Sequence, residues 1–396
     1  MSRILFMGPH GHGHVTPMLG LAEELVTRRH DVVFAAPSEY EKGVAASGAY
    51  FHRVRSEWES LDADSIPQMH GREMVRAMGL LLDETKAMVA QLADQPRPDL
   101  VVHDGTLGWW GRILAHRWNV PSVETWPNFV GNKHWNMSRY VRINPFSPRF
   151  LVTMLRIGRY IRSEGIPDVG AFMQGRFAAA RIVTLPRSFQ PRGETFPDHD
   201  FVGPIIADRS FQGEWKAPAP GVPVVLVSLG TAYNNQPEFF QMVVESARER
   251  PWHVVMAVGN QVDMDGFGDL PPNVELHQRV PQLAVLKRAQ AFVTHVGMGS
   301  TLESLALKVP MIAVPQMAEQ QANGDRIRDL GLGESLGHTA LTPDALWNAI
   351  DRVSRDGQIA QRLADMSAEI EASGGAKAGA DVVERILTTS SRNSRR

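Results

Sequence analysis

Residues 294–327 read THVGMGSTLESLALKVPMIAVPQMAEQQANGDRI, and the order of small, apolar and polar residues in this stretch decides the fold. The apolar run that begins at Ala291 ends at Thr294, and Gly297 and Gly299 then make a turn. A helix is expected to open at Ser300 and Thr301 and to give way to a second apolar run, VPMIAVP (309–315). Two short apolar runs joined through a helix imply parallel strands, because only a crossover can return the chain in the same direction. Continuous rather than alternating apolarity further implies a sheet covered on both faces.

The same grammar extends outward in both directions. VPVVLVSLGT (222–231), a helix near 237–249 and WHVVMAVG (252–259) precede the block, and helices follow it to about residue 388. In the first half, RILFMG (3–8), DVVFAA (31–36), DLVVHD (99–104) and PSVET (121–125) read as strands. Pro17 is placed as a first helical residue, followed by Met18, Leu21, Ala22, Leu25 and Val26 at helical spacing. Residues 52–95 look mostly helical and amphipathic, an insertion rather than sheet. Between the halves, FVGPIIADRSFQGEWKAPAPGVP (201–223) is rich in Pro and Gly and reads as a linker. The expected layout is α/β, two facing doubly wound Rossmann-like domains with an interdomain cleft, where ligands bind at strand C-termini. The expected boundaries are 1–205, a linker 206–222, a second domain 223–378, and a helix end with a disordered tail (TTSSRNSRR) over 379–396.

Composition removes several functions. At 396 residues the chain is long enough for two domains. Lys plus Arg number 41 and Asp plus Glu 43, a formal charge of -2 that gives no electrostatic case for nucleic acid. There is no cysteine, hence no disulfide framework, thiolate nucleophile or thiolate metal site. No apolar run approaches a membrane span and no signal peptide is seen. A cytoplasmic protein, monomeric or homodimeric, is expected.

The turn after Thr294 has the residues of an anion site. Gly297 and Gly299 let backbone N–H groups approach an anion, and a helix N-terminus at Ser300 and Thr301 adds about half a positive charge. An ordinary helix N-cap at Ser300 or Thr301 is the alternative reading. His295 tips the balance, since an imidazole donates to a phosphate oxygen without a metal. Ser228, Gly230 and Thr231, at a second strand end, make a diphosphate cradle plausible. Neither the Walker nor the GxGxxG spacing is present.

From HGHVTPML (12–19) to DRIRDLGLG (325–333) the chain resembles the UDP-glycosyltransferase superfamily, in particular its bacterial macrolide and antibiotic branch. Residues 274–330 resemble its nucleotide-sugar signature. The resemblance implies the GT-B fold, with the acceptor bound by the first half and a UDP-sugar, as co-substrate, by the second. It implies that His295, Gly299, Ser300 and Thr231 face the diphosphate and that Glu303 accepts from the ribose hydroxyls. Glu303 would otherwise read as a solvated helix residue. Glu319 and Gln320 match the pair that grips the sugar, with Glu where the family more often has Asp. Arg279 stands where the family commonly has a tryptophan on the base; a guanidinium plane also stacks, and the backbone of Val280 would meet the base edge.

His10, His12 and His14 raise a choice between a metal and a base. A zinc site of the His-x-His kind needs further ligands at later strand ends of a single barrel, which this two-sheet pattern lacks. The resemblance instead matches His14 to a general base that takes the acceptor hydroxyl's proton. Asp104 matches the carboxylate on its other nitrogen, an N-cap being the plainer reading. His10 and His12 are then turn residues. Direct displacement with inversion follows, giving a β-glycoside from an α-linked UDP-hexose such as UDP-glucose, with no cofactor and no metal. Trp58, Trp109, Trp110, Trp126, Phe129, Trp135 and Met137 suggest an apolar acceptor pocket for a macrolide, polyketide or flavonoid, at least half of them being core by default. A nucleotide-sugar epimerase, a non-enzymatic binding protein and a zinc hydrolase using His10 and His12 are the rivals.

Overall fold

The computed structural model describes residues 1–61, 67, 69–206, 213–230, 234–337 and 340–393. The chain divides into two compact units, Met1–Ala207 with Ala372–Arg396, and Asp208–Glu371.

The first unit holds a seven-stranded sheet. Its strands are β1 (Arg3–Met7), β2 (Asp31–Ala36), β3 (Tyr50–Arg53), β4 (Leu100–Asp104), β5 (Ser122–Trp126), β6 (Ala180–Val183) and β7 (Asp200–Phe201), in the order β3-β2-β1-β4-β5-β6-β7. Every pairing is parallel. Alternate residues of β1 feed opposite faces, as the pleat requires. Ile4 and Phe6 pack with Met18, Leu21 and Leu25 of the first helix, whereas Leu5 and Met7 pack with Leu82, Trp110 and Ile113.

The second unit holds β8 (Val224–Ser228), β9 (His253–Ala257), β10 (Val274–His277), β11 (Ala291–Thr294), β12 (Met311–Ala313) and β13 (Gly333–Ser335). The order is β10-β9-β8-β11-β12-β13, again all parallel. In each unit the winding reverses once, between β1 and β4 in the first and between β8 and β11 in the second. Open α/β sheets bind ligands in the crevice beyond the strand C-termini at such a reversal.

Several sequence expectations are corrected. The first helix is His12–Thr27 and contains Pro17 at its sixth position rather than starting at it, so the helix gives up the one backbone bond that an N–H there would make to Gly13. The expected insertion begins with β3, a short edge strand, and its long helix is Gly71–Leu92. The start of the expected linker belongs to the first unit, where Val202 and Ile205 are buried. The last helix, Gly375–Asn393, runs into the tail expected to be disordered and packs on the first unit rather than closing the second. Among the described residues no helix is long and apolar enough to cross a membrane.

Candidate active site

In the first unit, the reversal point brings together two strand ends. β1 leads through Gly8–Gly11 into the first helix, and His14 N donates to Gly11 O at 3.0 Å, which sets His14 in the opening turn. Asp104 is the last residue of β4 and is fully buried. His14 Nδ1 lies 2.8 Å from Asp104 Oδ2. The other carboxylate oxygen accepts from Thr106 N at 2.9 Å and Leu107 N at 2.6 Å. One oxygen thus meets His14 and the other ties down the turn, and the N-cap reading of Asp104 is set aside, because the helix that follows, Trp109–Trp118, has Gly108 as its N-cap. Burial pushes the Asp104 carboxyl up, but His14 and the two backbone donors outweigh it and hold it below its ordinary value. An ionised Asp104 fixes the proton on Nδ1 and leaves Nε2 as the basic nitrogen. Asn128 Nδ2 is 3.5 Å from that nitrogen.

The turn after Asp104 is pinned from beneath. Arg112, buried in the helix Trp109–Trp118, donates to Gly105 O at 2.6 Å and to Glu124 Oε1 at 2.6 Å, and Trp126 Nε1 donates to Glu124 Oε2 at 3.0 Å. The Trp126 ring lies where a side chain at residue 105 would begin, so only glycine fits there.

His10 and His12 both turn to Glu39, at 3.1 and 3.7 Å, while His14 turns to Asp104. The three histidines thus do not converge, and among the described residues no group of three or more His, Cys, Asp or Glu has metal-holding geometry.

The aromatic candidates divide. Trp109 and Trp110 are core: both are buried, and Trp109 meets Phe172 edge-on with ring centres 6.4 Å apart. They open a helix whose buried face contains them, so they leave the acceptor list. On the loop after β5, Phe129 packs edge-on to half-buried Trp135 at 5.4 Å and against Phe189 at 5.5 Å. Met137 and Trp126 are half-buried near it in sequence, and half-buried Trp58 lies in the short helix Glu57–Ser60.

In the second unit, Ser228 and Thr294 are register partners at the ends of β8 and β11. The helix Met298–Ala306 opens two residues earlier than expected, with Gly297 as its N-cap and no side-chain cap. The N-cap reading of Ser300 and Thr301 is thereby excluded. Thr301 is fully buried and its N–H is spent on Gly297 O at 3.0 Å, so it is removed from the ligand-facing set. One step along the helix turns the side chain by about 100°, and Ser300 is half-buried instead. Ser228 is buried, with Oγ accepting from Gly230 N at 3.4 Å. Thr231 lies outside the described residues.

His295 occupies a slot between two glycines. A Cβ at Gly230 would stand 2.5 Å from its ring, and one at Gly297 would stand 2.6 Å from it. Burial pushes His295 down to about 4, against a hydrogen bond to the Ser228 backbone that pulls it up. At neutral pH the His295 imidazole is therefore uncharged.

Glu303 is buried rather than solvated. Gln282 Nε2 donates to Glu303 Oε2 at 2.7 Å and to Ser300 Oγ at 3.1 Å, fixing both. Gln282 was not singled out from sequence, although it stands three residues after Arg279; the signal was its place in the same motif. Arg279 is exposed and Val280 half-buried. Gln320 is buried, and its Oε1 accepts from Gln316 N at 2.7 Å, which presents the amide NH2 as its free end for a ligand; Glu319 beside it is half-buried.

Comparison with known proteins agrees with this geometry. Residues 242–387 match the family described as erythromycin biosynthesis protein CIII-like, C-terminal domain. The chain is 35% identical to the NDP-glycosyltransferase YjiC of Bacillus licheniformis, over 95% of each protein. It is 36% identical to the oleandomycin glycosyltransferase of Streptomyces antibioticus, over 95% of this chain and 89% of that protein. Among solved structures, the glycosyltransferase of kitacinnamycin superposes with a TM-score of 0.87 at 32% identity, covering 98% of this chain and 99% of that one.

Proposed function

The chain belongs to the bacterial macrolide and antibiotic glycosyltransferases of the UDP-glycosyltransferase superfamily, and on that footing we propose that it moves a hexose, glucose in the first instance, from a UDP-sugar to a hydroxyl of an apolar natural product with inversion. That it is a glycosyltransferase of natural-product acceptors, on a GT-B fold, follows from the family itself. The observation that carries the finer reading is the 2.8 Å contact between His14 Nδ1 and buried, ionised Asp104 at the first sheet's reversal point.

His14 Nε2 takes the acceptor hydroxyl's proton as the oxygen attacks the anomeric carbon, and Asp104 stabilises the imidazolium that results. The bond from that carbon to the UDP oxygen breaks as the new one forms, so an α-linked donor yields a β-glycoside. UDP leaves with its charge spread over His295, the Gly297–Ser300 turn with Gly299, and the helix N-terminus. Because these groups supply the electrostatic stabilisation, no divalent ion is needed in this scheme. Thr231 and Ser228 complete the cradle from β8. Glu303 accepts from the ribose, Arg279 and Val280 meet the base, and Glu319 and Gln320 hold the sugar. Phe129, Trp135, Met137, Trp126 and Trp58 supply apolar acceptor contacts. The base and the donor cradle lie on different units, so transfer requires both.

The test is calorimetric titration with UDP, and separately dTDP, in excess EDTA, followed by UDP-glucose with a panel of hydrophobic aglycones. Saturable UDP binding without metal and a β-glucoside product are expected. Preference for dTDP would reassign the nucleotide, absence of binding to either would remove the donor site, and conversion of UDP-glucose with no acceptor present would favour the epimerase reading.

A further inference from the structure

Val296, between His295 and the N-cap Gly297, has φ +56. A β-branched residue in the left-handed region crowds its own backbone and is a genuine outlier. Such a conformation persists only where its surroundings over-determine it. Here the side chain is buried, Thr294 Oγ1 accepts from Val296 N at 3.1 Å, and Asn323 Nδ2 donates to Val296 O at 2.8 Å. Asn323 comes from the helix Ala318–Asp329 and is fully buried. Its Oδ1 has no hydrogen-bond partner among the described residues. A carbonyl is met only by the NH2 end of an amide, so the orientation is fixed, and the unsatisfied oxygen is a cost the fold tolerates for that one bond.

The other wall of the His295 slot is built the same way. Asn234 is buried and its Nδ2 donates to Gly230 O at 2.8 Å, while its Oδ1 again has no partner among the described residues. Gly230 itself has φ +81. A Cβ at Gly259 would overlap the Asn234 amide, so the space around this side chain is closed too.

We infer that Asn323 and Asn234 are positioning residues of the donor site. Each turns one peptide group, at Val296 and at Gly230, so that His295 stays in register between its two glycines and the helix N-terminus faces the diphosphate. The inference rests on reading this turn as the diphosphate cradle. Neither amide touches the reacting atoms; both act through the backbone.

Steady-state kinetics of the full chain with UDP-glucose as the varied donor, paired with UDP calorimetry, test it. Asn323→Ala is expected to raise the donor KM about tenfold, with kcat changed less than about threefold and acceptor KM unmoved. Adding Val296→Gly removes the strain that Asn323 opposes, since glycine adopts positive φ freely, and is expected to return the donor KM to within about threefold of the parent. Asn323→Asp, equal in size but without the NH2, is expected to rescue nothing. Should Asn323→Ala fail to fold, Thr294→Val, which removes the acceptor for Val296 N–H together with the hydroxyl 3.5 Å from His295 Nδ1, carries the same expectation in smaller measure. Asn234→Ala tests the opposite wall, with a donor KM increase of the same order. An unchanged donor KM in these variants, or no recovery with Val296→Gly, overturns the inference while the parent still binds UDP. Failure of the parent to bind either UDP or dTDP overturns the donor-site reading instead.

Discussion

At the end of β4 the turn is held by charge: Arg112 and Glu124, both buried, grip the Gly105 carbonyl and the Trp126 indole beside an ionised Asp104. At the ends of β8 and β11 the turns are held by neutral groups: an asparagine amide on each, a threonine hydroxyl and the absence of side chains at Gly230 and Gly297. The two sheets share one winding, so the contrast lies in the loops. In the proposed mechanism a base carries a positive charge during the reaction, and the first unit would supply a buried carboxylate to receive it. In the same proposal a diphosphate brings its own charge, and the second unit would meet it with N–H groups and a neutral His295.

Substitutions that separate the two turns follow from this, the largest effect first. His14→Ala removes the proton acceptor and is expected to lower kcat by roughly 10²–10⁴-fold. UDP affinity by calorimetry should stay within about twofold, because nothing on the second unit changes. Arg112→Met strands Glu124 in the core, and breaking such a pair costs about 3–5 kcal/mol, read as a lowered denaturation midpoint. UDP affinity of the folded fraction should again be unaffected. Gly297→Ala is the reverse experiment: the new Cβ displaces His295, and UDP affinity should fall about tenfold with the melting temperature little altered. If Gly297→Ala left UDP binding intact, the neutral slot would lose its role.

The smallest effect is a pH dependence of stability. His199 and His295 are both pushed down to about 4 by burial, and His103 is lowered by burial as well. Unfolded, these groups take a proton near pH 6.5; folded, they resist it. Stability is therefore lost as pH falls from about 6.5 towards 4. Glu84 opposes this, since burial raises it to about 7 and its contribution is lost as pH rises from about 4.5 to 7. Melting temperatures across that range should fall on acidification, and more steeply in Glu84→Gln.

The sequence made β2 legible to the residue, because a buried parallel strand is an unbroken apolar run. It left β3 and β7 unread, because short edge strands carry no such run. Trp109 and Trp110 were misplaced for a related reason: glycines on either side suggested a loop, and residue type does not say which face of a helix meets the core. Asp104 was readable as an N-cap or as a partner of His14, and only coordinates show one oxygen on His14 and the other on the turn's backbone, with Gly108 as the cap. Gln282 had only its place in the motif to mark it, its partner Glu303 lying 21 residues on; Asn323 reaches 27 residues back, and both asparagines meet backbone carbonyls, which every residue type supplies.

The last helix belongs to the first unit. Arg28 of the first helix pairs with Asp381 and Glu384, Gly375 N donates to Val202 O at 2.8 Å, and Ala380, Val383 and Leu387 complete the core around Leu21. The half that bears His14 is therefore finished by residues translated only after the whole of Asp208–Glu371 has been made. At ordinary elongation speeds that interval is roughly 10–30 s. Throughout it the nascent first half exposes the apolar patch its final helix will cover, while the second half is already free to fold. A stop codon shortly before residue 372 would thus damage the distant end of the chain rather than the unit next to it, and an exchange of acceptor halves between relatives must carry two segments of sequence, not one.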